Sequence, residues 1–268
     1  MAATILVRGG GDLASGVVAR LYRSGLNVVI TELPEPLSVR RSVSFSEAIY
    51  EGQFTVEDIT ARKVADPTDM LKIVNIMSKR QVPVLVDPEC ASARSLHPIA
   101  IVDARMSKRP PEPLRHTAML YIGLGPGFHA PDNCQVIIET RRGHRLGRVI
   151  WSGASESDTA QPDGDARRVL RAPADGPFES AAHIGQHFES GEEIASVGTE
   201  KIAAPFPGVL RGLLRPGLTV PSGMKIGDID PRDDPSLIHL VSDKALAIGG
   251  GVLEALLTRP EVRSKLWL

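Results

Sequence analysis

Residues 3–31 do most to narrow what this chain can fold into. ATILVR (3–8) has the character of a short buried strand, and Gly9, Gly10 and Gly11 follow it at once. From Ala14 to Ser24 the spacing turns helical, with Leu13, Val17 and Leu21 on one face and Arg20 and Arg23 on the other. Gly25 closes the helix, and NVVIT (27–31) is a second β-rich run. A strand, a tight turn, a helix and a strand within about 30 residues predict two parallel strands joined by a crossover helix.

The turn reads Gly9-x-Gly11-x-x-Ala14, a pattern suited to a phosphate cradle. Gly9 permits the tight turn, Gly11 lets a pyrophosphate approach the backbone, and Ala14 lets helix and strand pack closely. The start of the helix offers free N–H groups and partial positive charge. Glu32 ends the second strand 21 residues after Gly11, where an acid accepts ribose hydroxyls. Gly10, Asp12 and Leu13 complete the candidate cofactor-binding turn. Such turns also occur in α/β proteins that bind nothing there. Asp12 departs from the pattern, because a carboxylate repels a diphosphate. It either N-caps the helix or contacts a ligand. Arg40 and Arg41 are anion-binding candidates, with a solvated basic pair as the alternative.

Three further apolar runs, VPVLVD (82–87), IAIVDA (99–104) and AMLYIGLG (118–125), read as buried parallel strands, with TDMLKIVNIMSK (68–79) as a helix. The carboxyl ends of such strands line the ligand crevice of an open sheet. Asp87, Asp103 and the GLGPGF turn, with Gly123, Gly125 and Gly127, are therefore expected on one rim with the glycine turn. Cys90 is either a reactive thiol or an ordinary buried cysteine.

The second half carries a repeat. Residues 172–197 align without a gap onto 204–229 at an offset of 32, with seven identities. Phe178/Leu210, Phe188/Val220 and Val197/Ile229 are apolar in both copies. Short strands between glycine turns predict two interlocking copies around one core. The second copy resembles biotinyl/lipoyl domains through Ile202, Ala204, Pro205, Gly208, Gly217, Val220, Gly223 and Ile229. It lacks the Met-Lys-Met tripeptide, and Lys201 stands too close to Ile202 to match, so no swinging arm is expected.

Between the halves, VIIET and GRVIW flank RRGHRL, a hairpin carrying Arg141, Arg142, His144, Arg145 and Arg148. It is either an anion site or a solvated tip, and His144 is a candidate acid or base. SGASESDTAQPDGD (152–165) reads as a loop in which Asp158 and Thr159 either close over a ligand or form a disordered insertion. LIHLVSDKALAIGGGVLEALLTR (237–259) becomes a helix interrupted by Gly249–Gly251 and ended by Pro260.

The formal net charge of −1 argues against nucleic acid and anionic membranes as partners. Cys90 and Cys134 are the two cysteines, without CxxC or zinc spacing, so no metal site is expected and a reducing compartment fits. No run approaches the roughly 18 apolar residues of a membrane span, and the first residues lack a signal-peptide pattern, so a cytoplasmic location is expected.

RGGGDLASGVVARL, TELPEPLSVRRSVSFSEAIYEG, LGPGF, VIIETRRGHRLGRVI and KIGDIDPR with SDKALAIGGGVLEA together resemble YqeB-type proteins over nearly the whole chain. That family is associated with maturation of selenium-dependent molybdenum hydroxylases. The resemblance implies an accessory factor and supplies no residue roles. The glycine turn is also similar to the Rossmann domain of XdhC-type accessory proteins. The expected fold class is α/β: a Rossmann-like nucleotide-binding domain at 1–128, a linking hairpin and loop at 129–170, a β barrel-sandwich-like domain at 171–235, and a C-terminal helix at 236–268 against the first domain. The expected ligand is nucleotide-like, either NAD(P) or a molybdopterin dinucleotide. An apo-hydroxylase is a candidate partner, and a homo-oligomer is compatible. An NAD(P)-dependent oxidoreductase and a non-enzymatic scaffold stay open as alternatives. Asp12, Asp103, Cys90 and His144 are the candidate catalytic residues.

Overall fold

The computed structural model describes residues 3–106, 111, 118–157, 165–232 and 234–267. The chain divides into two units. One comprises Met1–Pro36, Ser44–Thr159 and Val241–Leu268, the other Leu37–Val43 and Ala160–Leu240.

In the first unit β1 (Thr4–Arg8) is buried at every position, as a strand covered on both faces must be. α1 (Asp12–Arg23) leads to β2 (Asn27–Glu32), which pairs parallel to β1. The short α2 (Ala48–Glu51) precedes β3 (Gln53–Val56) and β4 (Ile59–Val64), an antiparallel hairpin. Then come α3 (Met70–Ser78), β5 (Val82–Val86), the single turn α4 (Ala93–Leu96), β6 (Ala100–Asp103) and β7 (Leu120–Leu124). β8 (His129–Ala130), β9 (Val136–Ile138), β10 (Val149–Ile150) and β11 (Gly153–Ala154) complete its strands. The sheet order is β10-β9-β7-β6-β1-β2-β5-β4-β3, with β8 and β11 forming a separate ribbon. Seven central strands run parallel, and the two edges are antiparallel.

α5 (Asp243–Thr258) and α6 (Pro260–Arg263) close this unit. α5 lies on α1 because glycines permit it. A Cβ on Gly16 would stand 2.4 Å from the Ala245 backbone, and one on Gly249 would stand 2.6 Å from the Gly16 carbonyl oxygen. Gly251 meets the Gly147 carbonyl in the same way. The glycine run that looks like a helix interruption is therefore the surface on which two backbones touch.

The second unit holds β12 (Val169–Arg171), β13 (Gly176–Glu179), β14 (His187–Phe188), β15 (Glu193–Val197), β16 (Glu200–Ala203), β17 (Gly208–Leu213), β18 (Thr219–Val220) and β19 (Lys225–Asp230). They form two antiparallel sheets, β12-β19-β17-β14 and β16-β15-β13-β18. The offset of 32 relates β12 to β16, β13 to β17, β14 to β18 and β15 to β19. The copies exchange strands: β14 of the first pairs with β17 of the second, and β18 of the second with β13 of the first. Phe178, Phe188, Ile194 and Val197 meet their counterparts Leu210, Val220, Ile226 and Ile229 in one core.

The expected fold class, a Rossmann-like parallel sheet followed by a barrel-sandwich-like domain, is corrected. The large sheet is mixed and nine-stranded, with β5 rather than the next strand in sequence beside β2. The β region resolves into two four-stranded antiparallel sheets. The β3–β4 hairpin escapes a sequence reading because its turn has no glycine; Glu57 takes the left-handed conformation at φ 53°. The strands flanking RRGHRL join the edge of the large sheet instead of forming a linker.

Candidate functional site

The polar residues of the first unit gather where the parallel strands end. Chain connectivity reverses at β1: α1 carries the chain to β2 on one side, and β6 pairs on the other. A crevice at such a switch point is where open α/β sheets take ligands. Register sets its contents. Arg8 stands beside Thr31 on β2 and Asp103 on β6, and Asp103 beside Gly123 on β7, so one row of side chains crosses four strands.

Asp103 is completely buried at the centre of this row. Its Oδ2 accepts from Tyr121 Oη at 2.7 Å, Arg105 Nη2 at 2.7 Å and Arg8 Nη1 at 3.3 Å, while Oδ1 accepts from Arg105 Nε at 2.9 Å. Burial alone would raise this carboxyl. The Arg105 fork, the Tyr121 hydroxyl and Arg8 overcome it and hold Asp103 below the usual carboxylate range. Burial pushes the Tyr121 hydroxyl up, so it stays a donor. Two guanidiniums thus share one carboxylate. Arg8 is 5% exposed, and its Nε has no hydrogen-bond partner among the described residues. Cys90 lies within the influence of Arg8, hydrogen-bonded to Thr31. Burial nevertheless lifts its thiol to about 11.

The glycine turn is held by the protein's own groups. Gly9 has φ 91° and donates its amide to the Thr31 carbonyl at 2.8 Å. The Gly10 amide donates to Glu32 Oε1 at 2.7 Å, and the Gly10 carbonyl accepts from the Ser46 amide at 2.9 Å. A Cβ on Gly10 would stand 3.0 Å from Ser46 N, so the segment after residue 44 lies directly on the turn. Ser15 Oγ accepts from the Phe45 amide at 3.0 Å and ties α1 to the same segment. Gly11 is the N-cap, with φ −69°, and Asp12 is the first helical residue. The reading of Asp12 as the N-cap is thus displaced by one residue. Leu13 and Ala14 follow in the first turn, with Ala14 buried as close helix packing requires.

Other expected residues have structural employment. Glu32 accepts the Gly10 amide with one oxygen and the Leu33 amide with the other, so its carboxylate faces main chain where a ribose was expected. Asp87 accepts the Ala91 and Ser92 amides, both at 2.9 Å, and organises the turn that contains Cys90. A Cβ on Gly123 would stand 2.2 Å from the Phe128 ring, and one on Gly125 2.6 Å from Thr140 Oγ1. Gly125 and Gly127 have φ 77° and 96°, so that turn needs its glycines for its own shape. Arg40 and Arg41 belong to the second unit, where they donate to the carbonyls of Leu240 and Leu213. Arg141 and Arg145 pair with Glu156, and Arg142 makes a two-point contact with Asp243. His144 is exposed at the hairpin tip. Lys201 pairs with Glu193. Asp158 and Thr159 lie outside the described residues.

The sequence reading missed Arg8, Arg105 and Tyr121. An arginine ending an otherwise apolar strand was the available signal, since a charge placed there must be buried and paired. Among the described residues no cluster of His, Cys, Asp and Glu has a metal-holding arrangement. No described helix is long and apolar enough to cross a membrane.

Fold and site together define an α/β chain whose mixed sheet carries a largely buried Arg8–Asp103–Arg105–Tyr121 cluster at its switch point. By sequence it is 43% identical over 257 residues to the protein YqeB of Escherichia coli strain K12, which is described as uncharacterized. The match takes in 94% of this chain and 47% of that protein, so the chain spans about half the length of the curated relative it matches. No family model matches. Solved structures with partial likeness include an aspartoacylase family protein from Mesorhizobium loti, 13% identical over 85% of both chains with a TM-score of 0.26. A succinylglutamate desuccinylase from a Silicibacter species is 15% identical over 85% of both, with a TM-score of 0.25. Scores this low carry no argument about the fold or activity of this chain.

Proposed function

We propose that this chain is an accessory factor in the maturation of selenium-dependent molybdenum hydroxylases. In this reading it holds a nucleotide or a molybdopterin dinucleotide at the switch-point crevice. The resemblance to YqeB-type proteins supports the pathway. One observation supports the ligand class: Arg8 and Arg105 share the carboxylate of Asp103 beside the glycine turn, which sets two guanidiniums at a place where phosphates are taken. The role is holding, without a covalent step. Both cysteine thiols are buried and raised to about 11, so neither supplies a thiolate near neutral pH.

The test is native mass spectrometry of the purified protein, followed by titration with NAD, NADP, CTP and a pterin dinucleotide. Gly11→Val is the matched variant, because the φ of −69° suits any residue while a side chain blocks approach to the backbone. A bound nucleotide in the parent, lost in a Gly11→Val protein that circular dichroism shows to be folded, is the expected result. Absence of both mass adduct and thermal shift with every ligand overturns the reading.

A further inference from the structure

A second concave site lies on the outer part of the large sheet, between β4, α3 and the entry to β5. Its cavity of about 460 Å³ falls in the size range of small-molecule pockets. The walls include Arg62, Lys63, Lys72, Asn75, Lys79 and Gln81. Helical spacing explains the α3 wall, because residues 72, 75, 76 and 79 share one stripe. Ile73 and Ile76 anchor that helix to Val64 and Leu85 in the core. Arg62 precedes Val64 by two positions on β4, so its side chain leaves the sheet on the face that α3 covers. Its Nε donates to Gln81 Oε1 at 2.7 Å. Lys63, which also lines the cavity, donates to the Ile49 carbonyl at 2.7 Å.

Three further cations line the cavity, Arg62, Lys72 and Lys79. None of them is in an ion pair among the described residues. The acids nearest in sequence are used locally: Asp66 accepts from the Thr68 amide and hydroxyl, and Asp69 caps α3 at the Lys72 amide. Like charges around one concavity repel, and a bound polyanion removes that cost. A guanidinium fork beside two ammonium groups suits phosphate oxygens, and the Asn75 carboxamide adds a neutral donor.

We propose that this groove binds a small molecule carrying two or more phosphates, at a site separate from the switch-point crevice. β4 is the third strand from β1 in the sheet, so the two sites can be tested apart.

The experiment is calorimetric titration with inorganic phosphate, pyrophosphate and tripolyphosphate. The proteins are the parent, the double variant Lys72→Gln/Lys79→Gln, Gly11→Val, and Arg94→Gln as a control on α4. All three variants alter exposed or backbone-tolerant positions, and circular dichroism checks their folding. The expected result is affinity that rises with phosphate number and falls about tenfold or more in the double variant, a loss of about 1.4 kcal/mol. Gly11→Val and Arg94→Gln leave the component that the double variant loses unchanged. Four outcomes overturn the proposal: no tripolyphosphate binding, binding indifferent to the double variant, equal loss in Gly11→Val, or equal loss in Arg94→Gln. The third would assign the ligand to the crevice, and the fourth would make it diffuse surface adsorption.

Discussion

Glu32 accepts a hydrogen bond from the Gly10 amide at 2.7 Å, so the acid that ends β2 closes the turn that follows β1. Burial raises its carboxyl above the ordinary glutamate value of 4.5, against the opposing pull of the Gly10 and Leu33 amides. A raised value in the folded state means that the stabilisation is complete below the unfolded value and is lost as pH rises through the folded one. Glu32→Gln keeps one acceptor and removes the titration. The stability of the parent relative to this variant should therefore fall as pH rises from the ordinary glutamate value through the raised one. Urea denaturation at stepped pH measures it, and a flat difference would contradict the burial argument.

Asp103→Asn should be among the most damaging isosteric changes in the chain. It leaves Arg8 buried without its carboxylate, a mechanism that costs about 3–5 kcal/mol. The pH dependence runs opposite to that of Glu32. Asp103 is held low, so its contribution is present above the usual aspartate value and is lost as pH falls through the folded one. Chemical denaturation of both proteins at neutral and acidic pH should show the gap narrowing in acid.

Adjacent glycines in α5 should respond with opposite signs. Gly249→Ala forces a methyl group against the Gly16 backbone, and a loss of about 1–3 kcal/mol is expected. Gly250 has nothing within 4 Å of a built Cβ, so Gly250→Ala should gain about 0.5–1 kcal/mol through helix propensity. Melting temperatures of the two variants decide the matter. A fall in both would mean that α5 is not packed as described.

Cys90 and Cys134 should resist alkylation in the native protein at about pH 8, because both thiols are buried and raised to about 11. Intact-mass measurement with iodoacetamide, before and after urea, is the check. Rapid labelling of the native chain that peptide mapping places on Cys90 would restore it as a candidate nucleophile.

The β1–α1–β2 unit was legible in the sequence because its glycines, apolar spacing and strand lengths agree with one another. The repeat was legible because identical turns recur at a fixed offset. The β3–β4 hairpin was hidden by a Glu57–Asp58 turn without glycine, and the insertion of β5 beside β2 leaves no local trace. For the site, the motif pointed to atoms that the protein's own contacts occupy. Glu32, Asp87, Gly123 and Gly125 are explained by contacts within the protein. Arg8, Arg105 and Tyr121 meet Asp103 only through strand register, which residues distant in sequence do not reveal.

The strand exchange in the second unit bears on how such a unit came to exist. One copy alone would leave the edges of its β13-like and β14-like strands without partners, whereas two copies satisfy each other. Two separate peptides of this kind would have to meet as a homodimer, at a cost set by their concentration. Joined in tandem, they meet at the fixed effective concentration of a tether. The fused arrangement also frees each half to diverge. The internal symmetry stands in turns and core positions, while the faces of the two halves are open to different uses.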